Sequence, residues 1–135
     1  MSSIPFLAKP ILTPRDAIAS HVRWKITLLT AARMHETLSD DAAHSVQCPG
    51  ECAILRWLLS QYNQPLQQTP EYLAVLRWHE EFHRELIAAA DLINAGEFLT
   101  AEQLLNTSET FQSAAVSLAS AILALDRIAP LGLAS

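Results

Sequence analysis

The sequence predicts an all-α protein, and three observations carry that expectation. Half of the residues are hydrophobic, glycine occurs only three times, and the residues that recur are the helix formers Ala, Leu, Glu, Gln and Arg. Threonine stands directly before proline at Thr13 and Thr69. That pairing starts a helix, because the hydroxyl caps orphan amides and proline suits the first helical position. Apolar residues then recur at steps of three and four, the spacing of one helix face. A chain of 135 residues has the length of one domain and can bury a continuous core. The expected architecture is an antiparallel four-helix bundle with a short, partly irregular second helix.

Each element has its own signals. Residues 1–12 are expected as an irregular arm: Pro5, Lys9 and Pro10 interrupt the apolar run, and no small-residue cleavage site of a signal peptide follows. The helical domain is expected over residues 13–128 and a short tail over 129–135. Its first helix starts at the Thr13 cap, with Asp16 in the first turn, and stops near Leu38. In "CPGEC", Pro49 opens a second helix of about 12 residues that stops near Tyr62. The third runs from Thr69 to a stop at Asn94 to Gly96. The fourth starts at Thr100, which has capping-box spacing to Gln103, and continues to Ile128, shortly before Pro130. No repeat, low-complexity tract or interdomain linker interrupts the chain.

Charge narrows the range of partners. The net charge is −5, with two lysines, Lys9 and Lys25, and no basic run. A patch that neutralises nucleic-acid phosphates is therefore missing, and an anionic membrane surface is a poor partner for the same reason. No apolar run approaches the roughly 20 residues of a membrane span. The expected location is the cytoplasm, where thiols stay reduced and Cys48 and Cys52 are better candidates for ligands or redox groups than for a structural disulfide.

The helical periodicity places two histidines, four residues apart in "HEEFH", on an inward face. In the third helix Tyr72, Leu76, His79, His83, Leu86, Ala90 and Ile93 follow one seam. In the first helix Ala17, His21, Trp24, Leu28 and Ala31 follow another, and Cys52, Leu55, Leu59 and Tyr62 do so in the second. Each of three helices thus aims nitrogen or sulfur at the core. A buried imidazole or thiol without a partner is costly, and convergence on a metal removes the cost. Zinc suits such a set because it takes four nitrogen or sulfur ligands. Cys52, in the first turn of its helix, feels the positive end of the helix dipole, which favours the thiolate. A Cys2His2 site that uses Cys48 and Cys52 with His79 and His83, leaving out His21, stands as an alternative. His35 and His44, in or beside the first loop, are expected to be solvated, and Trp24, Trp57 and Trp78 to pack.

His21 followed by Trp24 ("HVRW"), Cys52 followed by Arg56 and Trp57 ("CAILRW"), and "HEEFH" late in the third helix together resemble the chemoreceptor zinc-binding (CZB) domain family of bacterial signalling proteins. The likeness covers roughly residues 13 to 128. One position departs from it: Leu55 stands three residues after Cys52, where members usually carry glycine. The resemblance implies a four-helix domain whose zinc ligands are His21, Cys52, His79 and His83. It further implies a part in tuning a chemoreceptor or a diguanylate cyclase, in response to zinc and to thiol oxidation, within a dimeric assembly. With no output domain in these 135 residues, the output is expected in a separate signalling protein or in a segment outside them.

Two rival classes remain open. "HEEFH" also matches the H-E-x-x-H pattern of zinc proteases, with Glu80 at the position of the general base. Such enzymes need a strand to hold substrate and an open coordination position, and a thiolate ligand would close the shell. Catalysis is therefore not expected. The other rival is a helical bundle with no metal.

Overall fold

The computed structural model describes residues 14–47 and 68–128. The described residues form five helices and no strand: α1 Pro14–Arg33, α2 Asp40–Gln47, α3 Pro70–Asn94, α4 Phe98–Thr107 and α5 Glu109–Ile128. The expected arm at 1–12, the expected second helix from Pro49 to Tyr62 and the tail at 129–135 lie outside the described residues.

The start and stop of α3 follow the sequence signals. Thr69 accepts a hydrogen bond from the Tyr72 amide at 3.2 Å, and Pro70 occupies the first turn. At the other end Gly96 adopts φ +82°, and the amides of Gly96 and Glu97 donate back to the carbonyls of Ile93 and Leu92 at 3.0 and 2.8 Å. This is the paired closure that glycine permits at a helix C-terminus.

Three boundaries differ from the expectation. The first helix ends at Arg33 and not near Leu38, because His35 takes a left-handed backbone conformation (φ 57°). The amides of His35 and Glu36 bond back to the carbonyls of Ala32 and Ala31 at 3.2 and 3.0 Å, the same closure as at Gly96 without glycine. The His35 ring stacks on Phe98 at 5.1 Å, so this exposed histidine is not simply solvated. Next, α2 occupies part of what was expected to be loop and carries His44. Ser39 caps it by accepting from the Ala42 amide at 3.1 Å, with Asp40 and Asp41 in the first turn. Finally, the expected fourth helix is two helices. It starts at Phe98, not Thr100, and breaks at Ser108, whose extended backbone (ψ 123°) leaves its hydroxyl to accept from the Phe111 amide at 3.3 Å. Serine favours such a cap over a helix interior. Across the break Gln112 donates to the Leu105 carbonyl at 2.8 Å.

Among these elements α3 is central: it packs along α5 and also meets α1, α2 and α4. The core combines Val75, Phe82, Leu86 and Ile93 of α3 with Phe111, Leu118, Ile122 and Leu125 of α5, and Leu28 of α1 with Leu105 of α4 close it. Arg33 and Glu102 tie α1 to α4 at 3.0 Å, and Asn94 accepts from the Leu38 amide at 2.8 Å. By length and composition α5 could cross a membrane, a property the sequence reading missed because serines punctuate the helix. Its Phe111, Leu118, Ile122 and Leu125 are buried in the core.

The two leucines of α4 provide a direct check. Leu105 is fully buried and Leu99 is 67% exposed. Leu105→Ala is expected to cost about 2–5 kcal/mol through lost burial and a cavity. Leu99→Ala is expected to stay within about 0.5 kcal/mol, both read from urea midpoints at a common slope.

Candidate metal centre

Three of the four ligands expected from the sequence come together. His21 faces inward from the second turn of α1, and His79 and His83 from adjacent turns of α3. All three are only 3% exposed. Their ring centroids lie 5.3 Å apart for His21 with His79, 5.3 Å for His21 with His83 and 4.7 Å for His79 with His83, each pair edge to face. Phe82 closes one side, 5.4 Å from the His21 ring. Cys52, the fourth expected ligand, and Cys48, its alternative partner, lie outside the described residues.

Backbone carbonyls orient two of the rings. His83 Nδ1 donates to the Val46 carbonyl at 3.2 Å, and His21 Nδ1 donates to the Ala17 carbonyl at 3.3 Å. A carbonyl can only accept, so each Nδ1 carries the proton and each Nε2 keeps its lone pair. Outer partners of this kind fix the ring orientation of metal-binding histidines. Nothing in the sequence marked Val46 or Ala17 for this role, because the acceptor is main chain. The His83 Nε2 atom is buried with no hydrogen-bond partner among the described residues. An acceptor held that way loses water and gains nothing unless something else meets the lone pair.

One nitrogen from each ring can be chosen so that all three lie within 4.8 Å of one another. Some point is then no more than about 2.8 Å from each, against about 2.0–2.1 Å for a zinc–imidazole bond. Small side-chain rotations close that gap, so the three histidines lie close enough to bind a metal ion.

Protonation works in the same direction. Burial is the main force on the His21 imidazole, with His79 and His83 adding repulsion, and its pKa falls to about 3. Burial and then His83 lower His79 to about 4. His83 is lowered by burial too, against the opposing bond to Val46. All three rings are therefore neutral at pH 7, the form that ligates metal. Glu80, the candidate general base, is 76% exposed at its side chain and lies 4.0 Å from Arg84 on the surface.

Comparison of the chain with protein-family models, curated proteins and solved structures found no match. The likeness noted above therefore rests on residue types and spacing alone.

The lowered pKa values give the metal-free protein an acid-sensitive fold. Below about pH 6.5 the unfolded chain binds protons at these histidines and the folded chain does not, so stability falls as pH falls. For His21 and His79 the loss is on the order of 2 kcal/mol each by pH 5. Urea unfolding with chelator is expected to be flat above pH 7 and to weaken steadily down to pH 5. His79→Gln should reduce the slope. An unchanged slope in that variant would mean the imidazole is solvated.

Proposed function

We propose that this chain is a zinc-binding regulatory domain in which His21, His79, His83 and Cys52 hold the ion. The observation that carries the reading is the convergence of three neutral, buried imidazoles, one of them with its Nε2 unpartnered among the described residues. Nitrogen-rich sites with a thiolate suit zinc among the common divalent ions. Cys52 enters through the resemblance and the dipole argument. The finer architecture belongs to the same reading: a four-helix bundle with α1, the second helix expected before Tyr62, α3, and α4 with α5 as one broken member.

Bound zinc supplies coordination bonds between elements that apolar packing alone leaves free to shift. In this role α1 and α3 are tied directly, and α2 follows through the Val46 carbonyl. The surface exposure of Glu80 supports binding and not hydrolysis, since a general base must reach the metal-bound water. Oxidation of Cys52 would weaken one ligand, because a sulfenic acid binds zinc less well than a thiolate. The output, by resemblance, is a chemoreceptor or diguanylate cyclase in the cytoplasm. A homodimer fits the apolar residues left exposed on α1 and α5, Ile26, Val116 and Leu123. Ile122, next to Leu123 on α5, is buried in the core.

Protein purified without added zinc is expected to carry about one zinc per chain, the stoichiometry of a closed four-ligand site. Alanine at His21 or at His79 should weaken zinc by more than the roughly 10–100-fold that loss of an outer-shell partner costs. Cys48→Ala should change little. A strong effect at Cys48 with none at His21 would establish the Cys2His2 alternative. Absence of metal would leave a bare bundle, and cleavage of a casein-like substrate would restore the protease reading.

A further inference from the structure

A pocket of about 200 Å³ opens between α1 and α5, with His21 as part of its wall. Its walls are Ile18 and Val22 of α1, Phe82 of α3, and Phe111, Ala115 and Ala119 of α5. The two alanines, one turn apart, leave the space that larger side chains would fill. Val22 is 50% exposed, so the pocket reaches solvent among the described residues. Polar chemistry is confined to a few groups, of which Lys25 carries the charge.

Lys25 is the informative residue. Its Nζ lies 5.8 Å from the centroid of the Phe111 ring, over the pocket's aromatic wall. Among the described residues no carboxylate pairs with it. The helix that carries it is basic, with Arg15, Arg23, Lys25 and Arg33 against Asp16, in a chain of net charge −5. A cation at the edge of an apolar cleft selects an anion with an apolar body. At about 30 Å³ for each water-sized group, the volume takes roughly seven such groups.

We propose that this pocket binds a medium-chain carboxylate of about eight carbons, with the acyl chain between α1 and α5 and the carboxylate at Lys25. Ile26, Val116 and Leu123, the residues assigned above to a homodimer, do not line it. The carboxylate site stands on the pocket and Lys25, and it shares the His21 wall with the proposed metal centre, which is why the test uses metal-free protein.

Calorimetric titration of the full chain, dialysed against chelator, tests the proposal with octanoate, hexanoate and octyltrimethylammonium. Octanoate is expected to bind saturably at one per chain and hexanoate about tenfold more weakly, from two lost methylenes. The cationic amphiphile should not saturate. Lys25→Gln should weaken octanoate about two- to fivefold at unchanged melting temperature, the range of a solvent-exposed ion pair. Ala119→Leu, which fills the pocket, should abolish binding. Equal binding of the cationic amphiphile, or no effect of either substitution, would overturn the site. So would octanoate affinity that falls as protein concentration rises, because the groove would then belong to a second copy of the chain.

Discussion

The burial of three imidazoles against one another is the constraint on which the rest of this structure turns. Each ring gives up its water, and that burial, with repulsion between the rings added at His21 and His79, opposes the usual remedy of taking a proton. The rings stay neutral, two are held by main-chain carbonyls, and the His83 Nε2 is left without a hydrogen-bond partner among the described residues. Such an arrangement costs stability in the metal-free chain. It becomes favourable when a cation accepts the lone pairs, so the stability of the fold and the affinity of the site are two sides of one equilibrium.

The helices supply rigidity around that constraint. Two histidines one turn apart on α3 need no special backbone, because the helical repeat puts them on one face. The third requires α1 to lie across α3 at a fixed register. Leu28 in the core and the Arg33–Glu102 pair hold the far end of α1, while His21 itself meets α3 near its own start. The short α2 is bound to the site by one main-chain acceptor, so its position responds to whatever moves His83.

Sequence periodicity made the three inward histidines legible, since each falls on an apolar seam with core residues such as Leu28, Leu86 and Ile93. The Thr69–Pro70 start and the Gly96 stop were legible because those residue types have few other uses. The end at His35 was not, because a left-handed histidine leaves no compositional mark. The helix at Asp40–Gln47 and the break at Ser108 did carry signals, a serine directly before an acidic residue in each case, but these were outweighed by the stronger apolar pattern on either side. The Val46 acceptor could not be found from sequence, since every residue offers the same carbonyl. The Lys25 pocket was equally hidden, because it arises from two alanines on a helix 90 residues away in the chain.

X-ray absorption at the zinc edge of the loaded protein tests the central claim most directly. Three imidazole nitrogens at about 2.0–2.1 Å and one sulfur near 2.3 Å are the expected shell. Two sulfurs with two imidazoles, or an oxygen-dominated shell, would contradict it, because His21 would then be buried for some reason other than the metal.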